Sequence, residues 1–470
     1  MNRHSITALM LLVAISVAHS QTYTSNWTSI NSRPNPAWYD EAKFGIFIHW
    51  GVYSVPHYAD LTDGAEWYWY CVYNPDMDGG LTAAYHNKTY GPGYPYQNFA
   101  PYFKASMWNP DDWANLFVQS GAKYVVLTSK HHEGYTLWDS PQAWGWNSVD
   151  IGPGMDLVGM LTKSVKNAGL KMGLYHSLYE WFNPLYLADK ASGSPPLTDD
   201  YVVEVLQPQL RDIVNRYEPS VVWADGEWEQ LSEYWESTDF ISWLYSNSSV
   251  KDDVVVNDRW GSETRGVDGG FYTGGDRYNP LKLIGHKWEN CYTIGSSWGY
   301  DANEDLAAMQ NISSLLWELA STVSCGGNLL LDVGPTEDGL IPWIMQERLL
   351  QMGQWLSYSG DAIYKSSPWR IQNDTEAMTT WYTVQNTTGV VYAMVFGWPE
   401  DNVLILETPI TTKETEVAML GCTNAASQCN KLKFTGNGPT RAGIKIQLPL
   451  LNPIQYPPFG VYTFALSNIH

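Results

Sequence analysis

Two hydrophobic periods alternate along most of the chain. Between about residues 105 and 358, stretches with apolar positions three and four apart are followed by short, nearly unbroken apolar runs. Trp113, Leu116 and Phe117 share one helical face, with Asp111 and Asp112 as candidate caps and Gly121 as the stop; KYVVLTSKHH follows. Asp156 precedes Leu157, Met160, Leu161, Val165 and Ala168, Gly169 ends that segment, and KMGLYHS follows. Helical spacing from Asp199 to Tyr217 stops at Glu218 and Pro219 before SVVWADG; a helix over 238–246 leads to DVVVNDRW; a helix over 304–324 ends at Gly326 and leads to NLLLDVGP. Polar caps, glycine stops and a period near 3.6 mark the helices, and β-branched apolar runs mark the strands.

Strands without polar alternation, each paired with a helix, are strands covered on both faces, as in a parallel sheet. FGIFIHWG (44–51) opens the series and GHKWENCYT (285–293) belongs to it. Seven or eight such units predict an α/β fold, a (β/α)8-like barrel, over 21–362. A doubly wound sheet is disfavoured because no glycine-rich phosphate loop follows the first strand. The irregular stretches 52–105 and 262–284 read as extended βα loops. From residue 363 the texture changes to short alternating runs (TTWYTVQ, GVVYAMVFGW, NVLILET, EVAMLG, KLKFTG, GIKIQLP, FGVYTFALS) between turn residues, which predicts a C-terminal antiparallel β-sandwich over 363–470.

Barrel sites form at the C-terminal ends of the strands. Here those ends read His49 and Trp50; His131 and His132; Tyr175 and His176; Asp225; Asn257, Asp258 and Arg259; Trp288 and Glu289. Each has an ordinary structural explanation alone, and their coincidence points to an active site. Neither a serine nucleophile elbow, a Walker loop nor an HExxH pair is present. His49, His131, His132 and Asp225 leave a metal-dependent hydrolase open. Neighbouring strand residues face opposite ways, however, so His131 and His132 share a cavity only if the strand ends there. Several carboxylates in differing surroundings fit glycoside hydrolysis better, which needs one ionised and one protonated.

Composition narrows the partners. The formal charge of −22 disfavours nucleic acid and anionic membranes. The 24 tryptophans and 31 tyrosines suit a pocket that stacks on pyranose rings. Residues 1–20 read as a secretory leader: Arg3, an uncharged run from Ile6 to Val17, then small residues. Sequons stand at Asn26, Asn87, Asn247, Asn311, Asn373 and Asn386. Of five cysteines, Cys422 and Cys429 close a short loop that a disulfide can bridge. The expected location is the secretory pathway, lysosomal or extracellular, with no membrane span.

KFGIFIHWGVYSVP, AEWY, YVVLTSKHHEGYTLW, GLYHSLYEWFNPLY, VVWADGEWE, VVNDRWG, HKWENC and GNLLLDVGPTEDGLI resemble the α-L-fucosidases of glycoside hydrolase family 29, of the animal tissue type, over nearly all the chain after the leader. Tyr292 departs from the residue expected after Cys291. The resemblance implies a barrel with a β-sandwich, a retaining double displacement on terminal α-L-fucose of oligosaccharides and glycoproteins, and a homo-oligomer, with a tetramer as one form. No cofactor and no metal are expected. The nucleophile falls on Asp225. Fucose recognition falls on His49, Glu66, Trp67, His131, His132, Tyr175 and Arg259, with His176 an alternative to Tyr175. Asp276, in the GGDRYNP loop, is the preferred acid/base and Glu289 the alternative. Trp298 is a candidate surface for the fucose methyl group. A fucose-binding protein without turnover is the rival from another class.

Overall fold

The computed structural model describes residues 22–60, 64–374, 379–423, 426–438 and 441–470; the expected leader lies outside them. β1 (Phe44–Ile48), β2 (Tyr124–Lys130), β3 (Lys171–Ser177), β4 (Val221–Asp225), β5 (Val255–Val256), β6 (Trp288–Thr293) and β7 (Gly327–Val333) form a curled parallel sheet in the order β5-β4-β3-β2-β1-β7-β6. Six of the seven strands fall within the runs that the hydrophobic pattern marks, and β7 begins one residue before its run, at Gly327. β5 and β6 do not pair with each other. Between them the backbone of Phe271 donates to Val256 O (3.1 Å), Tyr272 N donates to Lys287 O (2.9 Å), and Glu289 N donates to Tyr272 O (2.8 Å). This short extended segment stands where an eighth strand would close the barrel.

Helices pack outside the sheet with some corrections to their expected ends. Asn109 caps Pro110–Gln119, its side chain accepting from Asp111 N, so the two aspartates lie in the first turn instead of before it. Asp156 caps Leu157–Asn167 as its position suggests, but Met160 points outward, because the buried face centres on Leu157, Leu161 and Val165. The helix expected from 304 begins at Ile312, capped by Asn311. Glu304 instead turns its carboxylate to the backbone N–H groups of Ser296 (2.5 Å) and Ser297 (2.8 Å), fixing the loop that carries Trp298.

The C-terminal runs become two antiparallel sheets. β8 (Ser366–Asn373), β9 (Thr380–Gln385), β10 (Val391–Phe396), β12 (Thr411–Met419) and β15 (Val461–Ile469) form one, in the order β12-β15-β10-β9-β8. β11 (Val403–Leu406), β13 (Lys433–Gly436) and β14 (Ile444–Gln447) form the other. Their facing sides enclose Tyr382, Val391, Leu406, Ile446 and Phe464. Cys422 and Cys429 are bonded beside this core, while Cys71, Cys291 and Cys325 are buried thiols. The larger sheet packs on the last two helices of the barrel half: Trp317 meets Trp381 edge-on at 5.6 Å, and Trp355 Nε1 donates to Val461 O (3.2 Å).

The barrel interior is filled by the inward member of each alternating pair. Phe47, Val126, Tyr175, Trp223, Cys291 and Leu330 form its middle, with Tyr39, Tyr124 and Phe271 among the residues packed with them. Gly45 makes room for this. A Cβ there would lie 2.5 Å from the Tyr124 ring, whose hydroxyl crosses the interior to donate to Glu289 Oε2 (2.5 Å). Gly45→Ala is therefore expected to destabilise the protein by about 1–3 kcal/mol through overpacking. Denaturant midpoints check this, and an unchanged midpoint would mean that the ring has room to move.

Candidate active site

A cleft of about 350 Å³ opens at the C-terminal ends of the strands. β4 delivers its principal acid. Val221 to Asp225 is buried throughout, and Asp225 is the strand's last residue. Gly226 then turns with φ +79°, where a side chain would collide with the Tyr179 ring. The three acids of VVWADGEWE separate at that turn. Asp225 lines the cleft. Glu227 is buried and gripped by Arg265 Nε (2.9 Å) and Nη2. Glu229 turns away to Lys190 Nζ (2.8 Å) and Tyr186 OH.

Arg259 organises the charges. Its Nη1 donates to Asp225 Oδ1 (2.9 Å), its Nη2 to Asp276 Oδ1 (2.6 Å) and its Nε to Thr273 Oγ1 (3.0 Å). Tyr175 OH donates to the other oxygen of Asp225 (2.9 Å). Burial by itself would lift the Asp225 pKa. The Arg259 charge, its hydrogen bond and the tyrosine hydroxyl outweigh burial and hold this carboxyl below the usual aspartate range. Glu227 goes the other way: burial, and then the charge of Asp225, raise it above the usual range despite the two arginines.

The histidines form a second bank. β2 ends at Lys130, so His131 and His132 follow the strand instead of continuing it, and both reach the cleft. His132 Nδ1 pairs with Ser177 Oγ at 2.6 Å, and its Nε2 stands 3.6 Å from Asp225 Oδ2, beyond a direct hydrogen bond. His49 Nδ1 lies 2.7 Å from Asp332 Oδ1. Burial pushes the His49 pKa down to about 3 and lifts that of Asp332 well above the usual range, so the imidazole is neutral at any working pH. Burial likewise depresses His132. His49 and His132 therefore meet a ligand as neutral hydrogen-bonding groups. Among the described residues no group of three or more His, Cys, Asp and Glu side chains is arranged to hold a metal ion.

Glu66 and Trp67 enter from the 52–105 loop, with Glu66 Oε2 accepting from Gly299 N (2.9 Å). Trp298 packs against His49 (5.1 Å) and Phe47 (6.0 Å), giving the cleft an apolar wall. Of the two residues of the GLYHS strand, Tyr175 faces the cleft; His176 lies beside Ser129 and Trp138 on the other side.

Of the three carboxylates considered for catalysis, Glu289 is the one that the cleft leaves out. It is fully buried. Tyr39 OH (2.8 Å) and Tyr124 OH (2.5 Å) donate to Oε2, and Trp223 Nε1 donates to Oε1 (2.9 Å). Burial raises its pKa, against the pull of these donors. Conversely, Phe47, Trp223, Trp228, Arg265 and Cys291 line the cleft without having been singled out. Phe47, Trp223 and Cys291 carried a signal: each stands two residues from a residue that was named, on the same side of its strand. Trp228 and Arg265 lie on loops with no such period.

Comparisons with known proteins agree with one another. An alpha-L-fucosidase family profile matches residues 10–361, and an alpha-L-fucosidase C-terminal domain profile matches 372–467. The chain is 54% identical over 464 residues to the alpha-L-fucosidase of Dictyostelium discoideum, covering 99% of each. It is 46% identical over 472 residues to the tissue alpha-L-fucosidase of Homo sapiens, covering 98% of this chain and 97% of the other. A solved Thermotoga maritima alpha-fucosidase in complex with a mechanism-based inhibitor superposes with a TM-score of 0.78 at 33% identity, covering 94% of this chain and 99% of that one.

The surroundings of Glu289 can be tested by substitution. Glu289→Ala strands two hydroxyls and an indole N–H in a dry interior and opens a cavity, for an expected loss of about 3 kcal/mol or more. Glu289→Gln fills the space and keeps an acceptor, so its loss should be less than half as large. Equal losses in equilibrium denaturation would show that shape and acceptor are not what this residue supplies.

Proposed function

This chain belongs to the alpha-L-fucosidase family of glycoside hydrolases, and on that premise we propose that it releases terminal α-L-fucose from glycoconjugates by a retaining double displacement. The observation that carries the reading is Arg259 joined to Asp225 and Asp276 at once. Two carboxylates on neighbouring nitrogens of one guanidinium are close companions. That favours the spacing of about 5–5.5 Å used for retention over the roughly 6.5–9.5 Å that admits a water for inversion.

Asp225 is the nucleophile in this reading. It is ionised, buried, and held on both oxygens, so its attack on the anomeric carbon needs little reorganisation. Asp276 is the acid/base. Its side chain is 48% exposed on the cleft, where it can meet the glycosidic oxygen and later a water. The Arg259 donor must pass from Asp276 to a sugar hydroxyl before Asp276 carries the proton. His49, His131 and His132, together with Glu66 and Trp67, receive the fucose hydroxyls. Phe47, Trp223 and Trp298 offer the apolar surface its methyl group requires. Glu289 serves as a support for the barrel interior.

The catalytic unit is assigned to 21–362 and the sandwich to 363–470. A leader over 1–20 takes the chain into the secretory pathway, to a lysosomal or extracellular destination. Consistent with that, Asn26, Asn87, Asn247, Asn311 and Asn386 are exposed, and no helix among the described residues is long and apolar enough to cross a membrane.

Release of the aglycone from aryl α-L-fucosides, and not from aryl glycosides of other sugars, is the first expected result. Asp225→Gly should lower kcat by about a thousandfold or more, with azide giving a fucosyl azide of inverted configuration. Asp276→Asn should be rescued by azide with retained configuration. The same rescue in Glu289→Gln, with Asp276→Asn fully active, would exchange the two roles.

The pH profile supplies an independent check. Because Arg259 depresses Asp225, the nucleophile stays ionised until the pH falls below the ordinary aspartate value of about 3.9. Without that charge burial prevails, the Asp225 pKa rises, and ionised nucleophile is lost at higher pH. Arg259→Met should therefore move the acid limb of kcat/KM upward, while Arg259→Lys should move it less. A limb that stays in place in both variants belongs to another group.

A further inference from the structure

The cleft grades from a sealed interior to an open mouth. His132 and Tyr175 are each 1% exposed and Cys291 is fully buried, whereas Trp228 is 40% exposed. The side chains of Arg265 and Asp276 are 31% and 48% exposed. With Asp225 inside and Asp276 at the mouth, a fucosyl ring fills the interior, and the group bonded through the glycosidic oxygen lies outward, among these exposed residues. Trp228 is braced there. Its ring lies 6.2 Å from Trp67 at an interplanar angle of 22°, and it meets His132 and Tyr179 edge-on at 5.4 and 5.6 Å. An aromatic face held from behind yet open to solvent is a preformed platform.

Arg265 is fixed in a complementary way. Its Nε and Nη2 are spent on Glu227 Oε1, which leaves Nη1 outside that fork. Glu227 itself is 2% exposed and so anchors Arg265 instead of meeting a ligand. We propose that Trp228 and Arg265 form the leaving-group subsite and that it takes a pyranose. The C–H face of the sugar lies on the indole, and a hydroxyl or acetamido oxygen accepts from Arg265 Nη1. This rests on the fucosidase reading above and adds to it the residues that select the sugar next to fucose.

A leaving group too small to touch either residue isolates the effect. kcat/KM is measured for α-L-fucosyl fluoride and for a fucosyl disaccharide, and the quotient of disaccharide over fluoride is compared among variants. Trp228→Ala should lower that quotient by about tenfold, the scale of one stacked aromatic contact, with the loss weighted toward KM. Trp228→Tyr, which keeps a flat face, should restore it to within about threefold of the parent value. Arg265→Lys, which keeps the charge beside Glu227 but loses the fork, should lower the quotient as well. An unchanged quotient in Trp228→Ala and Arg265→Lys overturns the proposal, whatever loss both substrates share. Should the parent protein hydrolyse neither substrate, the fucosidase reading fails first, and that outcome is separate from an unchanged quotient.

Discussion

A guanidinium buried in the mouth of a barrel must be answered by negative charge, and Arg259 is answered twice. It is 3% exposed and lies over the Trp223 face, 4.7 Å from its centroid. Withdrawing such a charge from water costs several kcal/mol unless it is paired and hydrogen-bonded. Asp225 and Asp276 supply the pairing, and Thr273 accepts a further bond from Nε. The debt runs both ways. Asp225 is a buried acid that would otherwise bind a proton, and the arginine keeps it ionised. One ion network therefore keeps Asp225 ionised and holds the loop that brings the second carboxylate.

That loop has a second duty, which links the site to the architecture. β5 is only two residues long and does not reach β6. Phe271 and Tyr272 span the distance with backbone bonds to Val256 on one side and Lys287 and Glu289 on the other. Thr273 follows at once, donating to Asp258 Oδ1 from its backbone (3.0 Å) and its hydroxyl (2.8 Å). Asp276 comes three residues later. The segment that substitutes for an eighth strand thus also presents Asp276 to the cleft. A regular strand would bury its backbone groups in two ladders and leave less freedom to set a side chain at the cleft mouth.

The legibility of the chain follows the same division. Buried parallel strands require apolar runs, so the seven central strands could be read from hydrophobicity alone, and seven of the eight sandwich strands from their alternation. The cleft residues His49, Tyr175 and Asp225 were readable because they stand at or near the ends of those runs. Helix starts were less so. Asn109 took the cap expected of Asp111 and Asp112, and the helix expected from 304 starts only after Asn311, since a cap is decided by which side chain reaches the first free N–H groups and not by composition. Least legible were Trp228, Arg265 and Asp332. The first two lie on loops without a period, and Asp332 reveals itself only when β7 pairs beside β1 and brings it to His49.

Depth within the barrel separates the two carboxylates that the sequence left competing. Glu289 and Cys291 occupy the same side of β6, and two residues of strand correspond to roughly 6.5–7 Å along it. Cys291 lines the cleft, with its sulfur 4.0 Å from Arg259 Nη2, so Glu289 lies a full layer beneath it. There its oxygens are occupied by Tyr39, Tyr124 and Trp223. A carboxyl with both oxygens engaged in a sealed layer is poorly placed to exchange protons with a substrate or a water. It is well placed to tie three aromatic side chains from separate elements into one rigid floor. The HKWENC segment is therefore informative about architecture: it supplies the support on which Trp223 lies beneath Arg259, while the cleft carboxylate Asp276 stands on the irregular loop before it.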